Sequence, residues 1–276
     1  MTGADDPRLL AELLAVATRA ATAAARLVHD QRPDALQVET KSSAVDHVTH
    51  MDHAAEALVR ELVVGARPHD RVVGEESGAL DGDGTSGLTW WIDPIDGTTN
   101  YVYDHPGYAV SVAVGTEEGA LVGVVADPTH ARTYCATRGG GARCVRDDGR
   151  TTELRLGPPP PVERALVATG FAYDAARRGR NGAVVAQLLP RIRDIRRSGA
   201  AALDLCSVAA GRVDAYYEAG LSIWDLAAGR LVATEAGARV GALAGPDALP
   251  EVVLAAHPDL FGPLEELLRA LGAAEV

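Results

Sequence analysis

The stretch WWIDPIDGTTN, Trp90 to Asn100, sets two carboxylates, Asp93 and Asp96, three residues apart directly after an apolar run. A carboxylate entering an interior is costly unless something positive meets it. Pro94, between the acids, fixes φ and withdraws a backbone donor. Gly97 permits a close backbone approach, and Thr98 and Thr99 can open a helix whose free N–H groups suit an anion. One short segment therefore offers two carboxylates, the Ile95 carbonyl, a hydroxyl and an anion cradle. Such oxygen donors suit a hard divalent cation such as Mg²⁺. A plain N-capping Asp followed by a turn Asp accounts for the segment taken alone equally well, because Asp, Pro and Gly form turns anyway.

Two further segments bear on that choice. GEES, Gly74 to Ser77, follows a short apolar run and sets Glu75 and Glu76 at a strand end. Trp224-Asp225 sets an acid at the start of a helical pattern, where a plain N-cap worth about 1 kcal/mol is the simpler account. Carboxylates crowded at such ends are tolerable together when cations lie between them.

Elements must deliver these groups. Asp6-Pro7 reads as an N-cap with proline at the first helical position. The recurrence of Leu and Ala from Leu9 to Val28 predicts an amphipathic helix, and a second runs from about Asp52 to Val64. Arg71 to Gly74 and Thr89 to Ile92 read as short strands, the second ending at Asp93. Strand ends are where open α/β sheets hold ligands. From Tyr108 the pattern alternates, with turns at Thr116 to Gly119 and Asp127 to Thr129, and predicts an antiparallel meander closed at Gly139 to Gly141. Gly78 to Gly87 reads as a surface turn. GPPPP, residues 157–161, is the clearest internal boundary. Beyond it the spacing predicts strands at 166–168, 193–197, 213–217 and 252–256, and helices at 183–189, 200–210, 225–236 and 258–271.

Bulk properties narrow the function classes. The 276 residues carry a net charge of −12, against the basic footprint that nucleic acid requires. Arg177, Arg178 and Arg180, and Arg191, Arg193, Arg196 and Arg197, read as solvated helix flanks. No apolar run reaches the length of a membrane span. The acidic start MTGADDPRLL lacks the pattern of a secretory signal. Cys135, Cys144 and Cys206 are odd in number and form no C-x-x-C, which points to buried thiols in a reducing compartment. His47, His50 and His53 repeat every three residues, but a zinc face there ranks below ordinary packing. His105 reads as part of a turn. A nucleotide P-loop and the G-x-S-x-G of serine hydrolases are both absent.

VGEES, WWIDPIDGTTNYV and GLSIWDLAAGRLVATEAGARV, in this order, resemble the inositol monophosphatase family. KSSAVDHVTHMD, Lys41 to Asp52, and RRSGAAALDLCSVAAGRVDAYYE, Arg196 to Glu218, extend the likeness over most of the chain. The resemblance implies an α+β fold, the layered α-β-α-β-α sandwich shared with fructose-1,6-bisphosphatases. It implies one phosphatase domain over residues 1–276, its halves joined near 157–161 and the N-terminal half carrying most metal ligands. By the same likeness, two to three Mg²⁺ ions bind. Glu75, Asp93 and the Ile95 carbonyl hold the first, and Asp93, Asp96 and Asp225 the second. A third, weaker ion uses Glu75 with waters. Thr98 and Asp52 orient the attacking water, and Lys41 and Asp46 support the site. Gly97 and Thr98 meet the phosphate. Glu218, Asp96, Asp225 and the Ala201 backbone meet the rest of the substrate. The family position at Ala200 often carries a hydroxyl, so its loss here bears on specificity.

The implied activity is Mg²⁺-dependent hydrolysis of a small sugar or polyol phosphate monoester, with inositol-1-phosphate going to myo-inositol and phosphate. A cytoplasmic, lithium-sensitive homodimer is expected, with no nucleic-acid or membrane partner. The alternatives are a histidinol-phosphate phosphatase of the same family and a non-catalytic regulatory role, since some bacterial members are linked to RNA and RNA polymerase.

Overall fold

The computed structural model describes residues 6–41, 44–80, 84–243 and 252–275. Helix α1 (Pro7–Asp30) begins as its sequence predicts, with the Asp6 carboxylate accepting the Arg8 N–H at 2.9 Å. It buries Leu13, Val16, Ala17, Ala20, Ala21, Ala24 and Val28, one face at helical spacing. Strands β1 (Val38–Thr40) and β2 (His47–Thr49) form a separate antiparallel pair that leads into α2 (His50–Ala66). Thr49 and Asp52 make a capping box at the start of α2.

The large sheet follows. Its strands are β3 (Arg71–Gly74), β4 (Gly78–Leu80), β5 (Thr89–Asp96), β6 (Ala109–Thr116), β7 (Gly119–Asp127), β8 (Arg132–Thr137), β9 (Gly141–Arg146) and β10 (Thr151–Leu154), with α3 (Thr98–Val102) after β5. Their order is β10-β9-β8-β7-β6-β5-β3-β4, and β3–β5 is the one parallel pairing in it. Three expectations change here. The meander does not close at Gly139–Gly141 but turns there into β9 and β10. Strand β9 carries Arg143 and Arg146, and the edge strand β10 is exposed almost throughout, so their apolar alternation is thin. Gly78 starts β4 rather than a plain surface turn, and residues 81–83 of that loop lie outside the described residues. Strand β5 also continues past Asp93. Asp93 pairs with Ser111 and Asp96 with Ala109, so β5 holds one extra residue there. This bulge accommodates Pro94, which has no N–H for the ladder.

The second half supplies β11 (Leu166–Thr169), α4 (Ala175–Leu188), β12 (Asp194–Arg196), α5 (Ala201–Ala209), β13 (Ala215–Ala219), α6 (Ile223–Glu235), β14 (Arg239–Ala242), β15 (Val252–Ala256) and α7 (Pro258–Ala270). The small sheet has the order β12-β11-β13-β15-β14. Five layers result. Helices α1 and α2 cover one face of the large sheet, where Trp90, Ile92, Val110, Val112 and Val114 are buried against them. Helices α5 and α6 lie between the sheets, against Ala109, Ala113, Val125 and Tyr134 of the large one and Tyr216, Val253 and Ala255 of the small one. Helices α4 and α7 cover the outer face of the small sheet through Val184, Leu188, Leu260 and Leu264. This is the α-β-α-β-α arrangement of the expected α+β fold. Successive residues of β6 alternate between the two faces, which is why valine and alanine alternate along it. No helix among the described residues is long and apolar enough to cross a membrane.

Candidate active site

Three carboxylates converge from three elements. Glu75 follows β3, Asp93 lies in β5, and Asp225 is in the first turn of α6; their oxygens lie within 4.8 Å of one another. The parallel pairing of β3 with β5 brings the first two together, and the Glu75 N–H donates to the Ile92 carbonyl at 3.1 Å. Asp93 Oδ1 accepts the Ile95 N–H at 3.1 Å, so its carboxylate is turned along the bulge. Asp225 is not the N-cap of α6. Ser222 holds that position, and Asp225 Oδ2 accepts the Ser222 N–H at 2.6 Å as the reciprocal half of a capping box.

Asp96 has another set of contacts. Its two oxygens accept the N–H groups of Ala201 at 3.1 Å and Ala202 at 2.7 Å, at the start of α5. Ala200, the N-cap residue, makes no side-chain cap. The cap comes instead from a carboxylate about a hundred residues earlier, which ties the end of β5 to the second half of the chain. Gly97 sits at φ 92°, and a Cβ there would lie 3.0 Å from the Gly107 carbonyl and 3.1 Å from that of Gly199. Both the backbone angle and the space demand glycine. Thr98 follows at the first position of α3. Its hydroxyl donates to the Ile95 carbonyl at 3.0 Å and lies 3.3 Å from Asp52 Oδ1. Asp52 Oδ2 accepts the Thr49 N–H at 2.7 Å and the Thr49 hydroxyl at 2.6 Å.

Lys41 reaches in from the loop after β1. Its Nζ donates to Glu75 Oε1 at 2.8 Å and to Glu76 Oε1 at 2.5 Å. The Lys41 N–H bonds the Asp46 carbonyl at 2.8 Å, which closes that loop. On the opposite side Glu218 Oε2 accepts the buried Tyr216 hydroxyl at 2.7 Å. Lys41, Asp46, Asp96, Glu218 and the three convergent carboxylates line one cleft of about 410 Å³, together with Ile95, Gly97, Thr98 and Ala201, whereas Asp52, Glu76 and Tyr216 do not line it. The sequence reading did not find its other wall, formed by Phe171, Tyr173, Arg177 and Arg197. Arg177 and Arg197 therefore face the cleft, whereas Arg178, Arg180, Arg193 and Arg196 remain exposed as expected. Phe171 and Tyr173 follow the end of β11, so the strand-end rule applied to Asp93 pointed to them as well.

The electrostatics reflect crowding. Burial, with Glu75, Asp96 and Asp225 beside it, pushes the Asp93 carboxyl well above the usual carboxylate range. Burial and Asp225 do the same to Asp96, against the two helix N–H groups that favour its charge. Burial raises Asp225 to about 7, with Glu75 adding to the effect and the Ser222 N–H opposing it. Glu218 is raised by burial, while the Tyr216 hydroxyl and Arg197 offset part of this. Burial disfavours the Lys41 charge, but Glu75 and Glu76 outweigh it and hold lysine above its ordinary value. Buried acids with so few cations beside them form an oxygen-only donor set that fits a hard divalent cation.

The remaining candidates recede. Among the described residues no histidine joins a metal-ligand cluster. His47 Nδ1 and His50 Nδ1 are buried without a partner among those residues. His105 Nδ1 lies 2.7 Å from the Pro106 carbonyl in a turn, and the three cysteines are free and buried.

Residues 9–271 match the inositol monophosphatase family. The inositol-1-monophosphatase of Mycobacterium leprae is 41% identical over 94% of this chain and 93% of its own length. The Nus factor SuhB of Escherichia coli K12 is 39% identical over 84% of this chain and 86% of its own. Among solved structures, Mycobacterium tuberculosis SuhB superposes with a TM-score of 0.79 at 38% identity, covering 95% of this chain and 97% of that one.

Proposed function

Because this chain belongs to the inositol monophosphatase family, we propose that it is a Mg²⁺-dependent phosphatase of small sugar or polyol phosphate monoesters, with inositol-1-phosphate as its substrate. The observation that carries this reading is the approach of Glu75, Asp93 and Asp225 oxygens to within 4.8 Å of one another in the wall of a cleft. These carboxylates, with Asp96 and the Ile95 carbonyl, would hold two or three ions. When bound, Mg²⁺ neutralises the phosphoryl oxygens, lowers the pKa of water and stabilises the leaving alkoxide.

The chain's own groups do the rest. Thr98 Oγ1 orients the attacking water, takes its proton and passes its own hydroxyl proton to Asp52 Oδ1, 3.3 Å away behind the cleft wall. Burial raises the Asp52 carboxyl above its ordinary value, which suits a base. Gly97 and Thr98 face the phosphate in the cleft. Glu218, braced by Tyr216, and the Ala201 backbone bind the hydroxyls of the leaving group. Lys41, 2.8 Å from Glu75 Oε1, holds that carboxylate turned to the site. We assign the protein to the cytoplasm as a homodimer.

Glu218 also suits an ammonium, so histidinol phosphate is the competing substrate. The Escherichia coli relative named Nus factor SuhB supports a second reading, a regulatory role carried by the surface. Phosphate release from inositol-1-phosphate, histidinol phosphate and fructose-1,6-bisphosphate, with and without Mg²⁺ and lithium, tests these readings. Strong Mg²⁺-dependent turnover of inositol-1-phosphate is expected. A preference for histidinol phosphate moves the substrate and keeps the mechanism. No turnover overturns the enzymatic reading, and recovery of RNA polymerase on the immobilised protein then favours the regulatory one.

A further inference from the structure

The face of α2 that carries Asp52 also carries Glu56 and Arg60, at i, i+4 and i+8. The three are 1%, 2% and 9% exposed, so they form one buried polar stripe. Glu56 Oε2 accepts the Glu76 N–H at 2.8 Å, and Oε1 accepts the Ser77 N–H at 3.1 Å and the Ser77 hydroxyl. Arg60 Nε donates to Glu56 Oε1 at 3.1 Å, and Arg60 Nη2 donates to the Gly78 carbonyl at 2.7 Å. Among the described residues, everything Glu56 bonds apart from Arg60 belongs to the turn between β3 and β4. Gly74, where that turn begins, leaves no room: a methyl there would overlap the Glu56 carboxyl.

That turn carries Glu75. Asp93 is held in β5 and Asp225 in α6, but Glu75 is the one member of the convergent trio on neither strand nor helix. A buried ion pair such as Glu56–Arg60 is poor evidence of a stabilising role, since an apolar pair packs as well. What it supplies here is a fixed backbone at Glu76 and Ser77.

We propose that Glu56, oriented by Arg60, is a positioning residue for the divalent-cation site, pinning the turn so that the Glu75 carboxylate stays beside Asp93 and Asp225. The proposal rests on the metal reading above. It makes α2 the element that sets both site segments, Thr98 through Asp52 and Glu75 through Glu56.

The test uses the full chain as wild type, Glu56→Gln and Ser77→Ala, with Asp93→Asn as a control. Glu56→Gln keeps the size but sets an NH₂ group where backbone N–H groups donate. Ser77→Ala removes one contact and leaves the buried pair intact, so it decides the question should Glu56→Gln fail to fold. Three quantities are read: amide exchange at Glu76 and Ser77, Mg²⁺ affinity by calorimetry, and KM at saturating Mg²⁺. Both variants expose the two amides to exchange. Mg²⁺ affinity falls about tenfold in Glu56→Gln and about threefold in Ser77→Ala, as for residues that orient metal ligands. KM stays within about twofold, because the substrate contacts are untouched. Faster exchange with wild-type Mg²⁺ affinity in a folded variant overturns the proposal. A wild type that binds no Mg²⁺, or an Asp93→Asn that binds it equally well, overturns the metal reading itself and the proposal with it.

Discussion

Asp204 on α5 is a buried acid outside the proposed chemistry, and its replacement by asparagine has a calculable effect. It is 1% exposed. Oδ1 accepts the Ser198 hydroxyl at 2.7 Å, and Oδ2 is buried without a partner among the described residues. Burial pushes its pKa from 3.8 to about 7, with Glu218 adding to the rise and Ser198 and Arg197 opposing it. Because the folded value is the higher one, the native state keeps a proton that the unfolded chain has released. Stability therefore falls as pH rises from about 4 to about 7, and the loss is complete above that window. A gap of about three units at 1.36 kcal/mol each sets an upper bound of about 4 kcal/mol. The asparagine amide cannot ionise, but its NH₂ group occupies the unpartnered position at a cost of about 1–3 kcal/mol at every pH. Asp204→Asn should thus be no more stable than wild type near pH 4 and more stable by about 1–3 kcal/mol at pH 8. Urea unfolding from pH 4 to pH 8 in chelator at constant ionic strength measures the difference. Parallel stability profiles for the two proteins would refute the reasoning.

Three further outcomes follow from the geometry. Asp93→Asn should fold at least as stably as wild type without metal, since it removes one charge from a crowded set, yet lose about 10³-fold or more in kcat; a steady-state assay with detectable turnover contradicts the metal role. Gly170→Ala sets a methyl into the Glu218 carboxyl and should displace it from the cleft. KM for inositol-1-phosphate should rise about tenfold while Mg²⁺ affinity stays within about twofold, and an unchanged KM removes Glu218 from substrate binding. Asp70→Ala should lower stability by about 1–3 kcal/mol, measured by urea unfolding. It leaves the buried Trp90 Nε1, 2.9 Å from Asp70, without its acceptor, while Arg67, whose Nε also lies 2.9 Å from Asp70, keeps Glu12 at 2.9 Å; a loss under about 0.5 kcal/mol disproves that buried network.

The acids of the site were legible in the chain because each stands at the end of an apolar run and beside a turn former. Strand and helix periods, proline and glycine are local signals, and they located β3, β5, α1 and α6 to within a few residues. Family likeness carried the same residues to metal and substrate roles, and the cleft brings most of them together. Local signals failed where neighbours decide. The bulge that lets β5 run past Pro94 depends on β6, and β9 and β10 survive as strands because β8 offers an edge. The arginines at 177 and 197 look like their solvated neighbours until α4 and the loop before α5 turn them into the cleft.

Amino-acid order by itself determined which groups could meet a cation: Glu75, Asp93, Asp96 and Asp225 carry that capacity in their types and in the turns beside them. Only the tertiary structure decided how each is restrained. Asp96 caps α5 from across the molecule, Asp225 answers Ser222 rather than capping alone, and Glu56, an ordinary helix glutamate by sequence, holds the turn under Glu75. The physical reason is range. A cap or a turn is satisfied within a few residues, whereas a buried carboxylate takes its partners from whatever backbone the fold brings within about 3 Å.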